Sequence, residues 1–358
     1  GTARFLDGSA LEIIKSHSPK GSVSPGNHAE MISADRIVIA TGARARDLPD
    51  LPMDGRTVWS YREALMPPCT PKRMLIIGGG AIGVEFASFY RAVGVEVTLL
   101  ELADRILPSE DADVSAAIAE ALRKDGVTLC TASRLVHAEH KEGAWRVQVE
   151  GGAPEVDVVL VAAGIVANTE GLGLENTKIQ LDCGHIVVDE YCRTHEPRIY
   201  AIGDVAGAPW LAHKASHEGV MVAEHISGLA VHPLETNKIP SCVYSHVQAA
   251  RVGLTEESAS SEGRQIKVGK FPFSANGKAL ATGCKQGFAK VIFDAASGEL
   301  LGAHLVGHDV TEMIQGYVAA MGLETTEADL MRMVFPHPTM SEAMHEAVLS
   351  AYGRALHY

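Results

Sequence analysis

Long apolar runs are missing from this chain. No stretch approaches the roughly 20 residues that a membrane-spanning helix needs, and no N-terminal stretch has the basic-then-apolar pattern of a secretory signal, so an intracellular protein is expected. Positive charge is also scarce: 31 Lys and Arg against 44 Asp and Glu leave a net charge of −13. That balance argues against nucleic acid or an anionic membrane as a partner, although acidity names no substrate. The six cysteines, Cys69, Cys130, Cys183, Cys192, Cys242 and Cys284, include no C-x-x-C or similarly short spacing. Neither a zinc site nor a local redox pair is encoded, and no other metal site is expected; even Cys183 and Cys192, the nearest two, are expected to stay unpaired. Aromatic residues make up only 5% and hydrophobic residues 46% of 358 positions, which suits an α/β protein of two or three domains.

What is present is ordered along the chain. Gly1 leads at once into Arg4 to Leu6 and Ala10 to Ile14, which read as strands of a meander already under way, as if the sequence started in mid-domain. A polar loop over Ser16 to Glu30 precedes a buried strand, Arg36 to Ala40, that ends in Thr41-Gly42-Ala43. A proline-rich linker around Pro67, Pro68 and Pro71 follows. A helix is expected from Ser109 to Lys124, with Glu110, Asp111 and Asp113 at its positive end. Segments near Leu135 to Ala138, Trp145 to Val149 and Val156 to Val161 suggest a three-stranded meander. Arg198 to Asp204 reads as a strand with an acid at its carboxyl end, and Leu211 opens a helix reaching about Gly228. From Ile239 strands come first and helices later, an α+β block separate from what precedes it.

The most informative run is Met74 to Ile77 followed by Gly78-Gly79-Gly80-Ala81-Ile82-Gly83-Val84-Glu85, a buried strand turning sharply into a helix. Gly78 permits the turn, Gly80 lets backbone approach a pyrophosphate, and Gly83 lets helix pack on strand, while first-turn amides and the helix dipole face the phosphates. A second apolar strand, Val95 to Leu100, ends at Glu101, whose carboxylate can accept both ribose hydroxyls of an adenosine. A carboxylate about 4 Å from a 2′-phosphate costs on the order of 1 to 4 kcal/mol per charge pair, so NAD is expected over NADP. Arg105 is alone and next to Asp104, so no arginine pair reverses that choice.

The second informative run is Phe335-Pro336-His337-Pro338-Thr339-Met340-Ser341-Glu342. Thr339 and Glu342 have the spacing of a capping box at the start of an amphipathic helix reaching toward Ala351. The same residues allow another reading, in which His337 is a general acid/base whose ring is oriented, and whose proton affinity is raised, by Glu342. Spacing alone leaves both open.

Ile39 to Ala43, the Gly78 to Glu85 fingerprint, Tyr200-Ala201-Ile202-Gly203-Asp204, Leu211-Ala212-His213-Lys214-Ala215 and His337 to Glu342 together resemble the flavoprotein disulfide reductases, in particular those acting on dihydrolipoamide. The resemblance implies an α/β fold with Rossmann-like FAD (partial) and NAD domains plus a C-terminal α+β dimerisation domain. Domain boundaries are expected at 1–68 for a remnant of the FAD domain, 69–190 for the NAD domain, 191–236 for a return to the first, and 237–358 for the dimerisation domain. It places Thr41, Gly42, Ala43 and Asp204 at FAD, with the backbone of Leu211, Ala212 and His213 at the flavin's pyrimidine edge; read alone, Asp204 is equally a cap or turn residue before Gly207. Glu85 would lie near the nicotinamide and Gly164 near the adenosine half of NAD. His337 would serve the partner subunit of a homodimer, taking a proton from a dihydrolipoamide thiol. The acyltransferase of a 2-oxo acid dehydrogenase complex is the implied partner, in bacterial cytoplasm or, less favoured, the mitochondrial matrix.

Departures accompany these matches. Relatives carry an earlier glycine-rich FAD fingerprint and a redox-active C-x4-C helix, and neither occurs in these 358 residues; a parent enzyme with its start absent is expected, and this chain by itself would not run the thiol chemistry. Gly164-Ile165-Val166-Ala167-Asn168 replaces a common Gly-Arg-x-Pro-Asn, and Val247 stands where a family proline is usual. An NADH oxidase or transhydrogenase on the same scaffold is the rival enzyme reading, and an inactive nucleotide-binding or dimerising fragment is the rival outside catalysis.

Overall fold

The computed structural model describes residues 1–14, 29–141, 143–149 and 154–358, so the polar loop expected over 16–30 falls almost wholly outside the described residues. Two compact units form, residues 1–44 with 165–236 and residues 45–164 with 237–358.

In the first unit the strands Thr2–Phe5, Ala10–Ile14 and Ala29–Ser33 make an antiparallel meander. Ile37–Ile39 pairs in parallel with Ile199–Ala201, so the segments leaving both strands emerge at the same end. The Ile202 amide, one residue past its strand, still donates to the Ile39 carbonyl at 3.0 Å. Thr41 to Ala43 and Gly203 to Asp204 therefore start side by side, and the helix Ala212–Ile226 follows the second of them.

The second unit holds a five-stranded parallel sheet in the order Val58–Trp59, Val158–Val161, Arg73–Ile77, Glu96–Leu100 and Thr128–Cys130. Met74, Leu75 and Ile76 are wholly buried, the continuous apolar run of a strand covered on both faces rather than the alternation of a half-exposed one. Burial of each such side chain is worth about 1.5–3 kcal/mol. Val158–Val161 belongs to this sheet and not to the expected meander, whose third strand is the short Glu155–Val156. The helix expected from Ser109 spans Ala112–Lys124, because the Asp111 carboxylate accepts the Asp113 amide and caps it.

Residues beyond 237 build a five-stranded antiparallel sheet, ordered Ser241–Val243, Gln248–Gly253, Leu300–Gly307, Phe288–Asp294 and Ile266–Pro272. Helices Gln315–Gly322 and Glu342–Ser350 pack on it. Val243, Ala249, Phe288 and Val306 also enter the core formed by the parallel sheet and its helices. The block that the sequence suggests is separate thus shares a core with the nucleotide layer. Residues 45–68 join this unit through Val58–Trp59, while residues 165–190 belong to the first unit. All six cysteines are free thiols. Among the described residues no helix is long and apolar enough to cross a membrane.

Candidate functional site

Within the second unit the glycine turn leaves the carboxyl end of Arg73–Ile77 and enters the helix Ala81–Ala92, placing Ala81, Ile82, Gly83, Val84 and Glu85 on its first turns. Gly78 has φ +110, and a Cβ there would strike the backbone of Ala162 and Ala163. A Cβ on Gly83 would collide with the Gly78 carbonyl, so no side chain fits where this helix crosses the turn. Gly80 differs: a Cβ there would meet nothing within 4 Å, leaving an open ledge above the first-turn amides.

Gly80 is also the N-cap and supplies no side-chain acceptor. Elsewhere Ser60, Asp111, Thr255 and Asn276 cap their helices with oxygen. The uncapped amides and helix dipole at Gly80 are the chemistry a pyrophosphate requires. Glu101 stands beside them, its carboxylate accepting the Gly79 amide at 2.5 Å and the Ala103 amide at 2.7 Å. Two amides leave part of a carboxylate's capacity of about four acceptor sites for ribose hydroxyls. Glu85 accepts the Tyr244 amide at 2.9 Å, and burial raises its pKa above the ordinary glutamate value. Gly164, with φ +98, lies two residues past Ala162 on the same ledge. Arg105 makes a two-pronged ion pair with Glu257, at 2.6 and 2.7 Å, and so is not alone with Asp104.

In the first unit Thr41 donates its hydroxyl to the Asn168 carbonyl at 2.8 Å, and Asn168 returns its side-chain amide to the Thr41 carbonyl at 2.9 Å. Gly42 has φ +68 with open space where a Cβ would point, and Ala43 follows it. Asp204 sits inside the 3-10 turn Gly203–Ala206, whose N-cap is Ile202, so Asp204 is a turn residue and not a cap. Leu211 is the N-cap of Ala212–Ile226 and lends no side-chain oxygen, leaving the first amides, around Ala212 and the exposed His213, without a side-chain cap. A flavin fits this arrangement: open glycine backbone, a carboxylate in the turn and uncapped helix amides.

Sequence spacing missed how that turn is held. Lys214, 4% exposed, pairs with Glu218 at 2.9 Å and donates to the Gly207 carbonyl at 3.1 Å, while Glu218 accepts the Gly203 amide at 2.7 Å. The ion pair thus brackets Asp204 from both sides. Its only sequence signal was a Lys and a Glu four apart on one helix.

The carboxyl-terminal run is fixed from several directions. Phe335 stacks on His345 at 5.0 Å, Thr339 donates its hydroxyl to the Pro336 carbonyl at 2.7 Å, and Asn276 donates to the Thr339 carbonyl at 3.1 Å. The expected capping box is therefore only half made: the helix is Glu342–Ser350 with Ser341 as N-cap, and the Thr339 hydroxyl is committed elsewhere. Glu342 makes a contact belonging to each reading, since Oε2 accepts the Thr339 amide at 2.9 Å and Oε1 meets His337 Nδ1 at 2.8 Å. Burial pushes the Glu342 carboxyl up, but the Thr339 amide and the His337 ring outweigh it and hold the pKa below the usual value. An ionised carboxylate only accepts, so Nδ1 carries the proton and Nε2 of the neutral ring keeps its lone pair. The imidazole is 77% exposed, which leaves that nitrogen open to a reactant. Among the described residues no group of three or more His, Cys, Asp and Glu could hold a metal.

Comparison with known proteins identifies the family. The family model for pyridine nucleotide-disulphide oxidoreductases matches residues 4–219, and the model for their dimerisation domain matches residues 239–348. The chain is similar to the dihydrolipoyl dehydrogenase of Zymomonas mobilis, 54% identical over 335 residues that cover 92% of this chain and 72% of the relative. It is 51% identical to that of Rhizobium etli over 330 residues, 90% of this chain and 69% of the relative. Among solved structures it resembles the HOCl-induced flavoprotein disulfide reductase RclA of Escherichia coli, with TM-score 0.85 and 30% identity over 97% of this chain and 78% of the other.

Proposed function

Because the chain belongs to the pyridine nucleotide-disulphide oxidoreductases, within their dihydrolipoyl dehydrogenase group, we propose that its glycine turn binds NAD, that its first unit binds FAD, and that His337 is the acid/base of the thiol step. The observation that carries the thiol chemistry is the 2.8 Å contact of His337 Nδ1 with Glu342. It leaves Nε2 as the base and gives the imidazolium, once formed, a carboxylate partner.

The remaining residues divide the work. Amides of Gly79 to Ile82 receive the pyrophosphate, with Gly78, Gly83 and Val84 setting the approach of helix to strand. Glu101 accepts ribose hydroxyls and repels a 2′-phosphate. Glu85 and Gly164 border the nicotinamide and adenosine ends. Thr41, Gly42, Ala43 and Asp204 line the FAD site, and the amides after Leu211, through Ala212 and His213, favour negative charge at the ring edge. When bound, the flavin passes an electron pair between a disulfide and the nicotinamide. His337 takes the proton of a dihydrolipoamide thiol and frees a thiolate to attack a redox disulfide; that disulfide is not among the six cysteines of these 358 residues, all free thiols, and would be the C-x4-C pair the resemblance implies for the parent enzyme.

In this reading the chain works as a homodimer through residues 237–358, and His337 acts in the partner's site. Its exposure on its own subunit supports that arrangement. The dihydrolipoamide is carried by the acyltransferase of a 2-oxo acid dehydrogenase complex. The test uses the flavin-loaded parent enzyme with its redox disulfide: NAD reduction by free dihydrolipoamide is the expected result, and NADH consumed by oxygen without dihydrolipoamide turnover would favour the oxidase reading instead.

A further inference from the structure

Arg46 enters the nucleotide ledge from a part of the sequence that no glycine fingerprint points to. Its amide donates to the Gly164 carbonyl at 3.1 Å, which pins its backbone against the end of the ledge. Its guanidinium then lies over Gly164: a Cβ built there would sit 3.7 Å from Nε and 3.9 Å from both Cζ and Nη2. Those are ordinary van der Waals distances, so the guanidinium rests against Gly164, whose φ of +98 is itself a conformation that favours glycine.

The electrostatics give this contact a direction. The ledge from Gly78 through Ala163 to Gly164 is made of glycine and alanine, and Glu101 faces it as an anion. A dinucleotide brings two phosphate charges to it, while the helix beginning at Gly80 offers only about half a unit of positive charge. The chain from Ala162, which touches Gly78, to Gly164 spans at most about 7.6 Å between Cα atoms, so the guanidinium and the turn serve one ligand of pyrophosphate length. Arg46 is exposed, and its planar fork matches phosphate oxygens better than a point charge does. We propose that Arg46 is a binding residue for the dinucleotide, closing on its pyrophosphate from the side opposite the helix start. The proposal rests on the dinucleotide reading of the turn.

The test is the affinity of the native flavin-loaded protein for ADP-ribose and for adenosine, in wild type, Arg46→Gln and Arg46→Lys, at two salt concentrations. Arg46→Gln is expected to weaken ADP-ribose about tenfold and flatten its salt dependence, to leave adenosine unchanged, and to be partly rescued by Arg46→Lys. Equal ADP-ribose binding by Arg46→Gln would overturn the proposal and spare the site, and so would a loss that falls equally on adenosine. Absence of ADP-ribose binding in wild type would sink the dinucleotide reading itself, and the proposal with it. A change in melting temperature for Arg46→Gln is checked first; if that variant does not fold, Arg46→Lys and the wild-type salt slope decide the matter.

Discussion

At the scale of single residues, the chemistry depends on which atoms a side chain has left after local bonds are made. Glu101 spends part of its capacity on the Gly79 and Ala103 amides, and this fixes its charge beside the turn. The fixed charge gives a first prediction: titration of the native protein with NADH and NADPH shows NADH at least tenfold tighter, and Glu101→Gln narrows the gap. Comparable affinities in wild type would remove the basis of the cofactor choice. Glu342 was the ambiguous residue in the sequence, where spacing offers a cap or a catalytic partner as alternatives. Geometry shows that one of its oxygens accepts the Thr339 amide while the other meets the His337 ring, a pair of contacts that counting residues cannot reveal.

At the scale of elements, strand and helix identities were legible where periodicity is strong. Arg73–Ile77, Ala81–Ala92 and Ile199–Ala201 lie where the apolar runs and glycines place them. The errors came from partners remote in sequence. Val158–Val161 is drawn out of a meander by parallel pairing with Arg73–Ile77, some 80 residues earlier by roughly counted separation. His304, on the strand Leu300–Gly307, was one histidine among 16 in the sequence. In the fold it is fully buried, Nε2 donates to the Leu254 carbonyl at 2.9 Å, and burial lowers its pKa from 6.5 to about 4.

The consequence for stability has a definite sign. Above pH 6.5 the ring is neutral in both folded and unfolded chains and contributes no slope. Between pH 6.5 and 4 the unfolded chain takes up a proton that the folded chain refuses, so stability falls with falling pH, by about 3 kcal/mol across the window. Chemical denaturation at several pH values is expected to show His304→Leu losing this part of the slope while paying a constant penalty for the abandoned Leu254 carbonyl. An unaltered slope would show that His304 is not the titrating group.

At the scale of the whole molecule, the second unit is joined by charge as well as by its apolar core. Lys290, 1% exposed on the antiparallel sheet, reaches Asp111 at 2.7 Å, Asp113 at 2.9 Å and Glu256 at 3.2 Å, tying that sheet to the start of the helix Ala112–Lys124. Burial opposes ionisation of Asp111, but Lys290 outweighs it and holds the carboxyl below its usual pKa. Removing the cation strands the buried Asp111 carboxylate, so Lys290→Met is expected to lower unfolding stability by about 3–5 kcal/mol. A loss under about 1 kcal/mol, measured by denaturant unfolding, would mean that the cluster relaxes into solvent. This joint was invisible to sequence reading because Lys290 and Asp111 lie 179 residues apart, whereas spacing rules see only neighbours on one turn or strand.

The central claim is that one exposed imidazole, held by Glu342, serves thiol deprotonation and nothing else. Stopped-flow measurement of both half-reactions in native flavin-loaded His337→Gln tests it most directly. The account predicts that flavin reduction by dihydrolipoamide falls at least a hundredfold while flavin reduction by NADH keeps its wild-type rate. Flavin reduction by dihydrolipoamide at the wild-type rate, or an equal loss in both half-reactions, would contradict it.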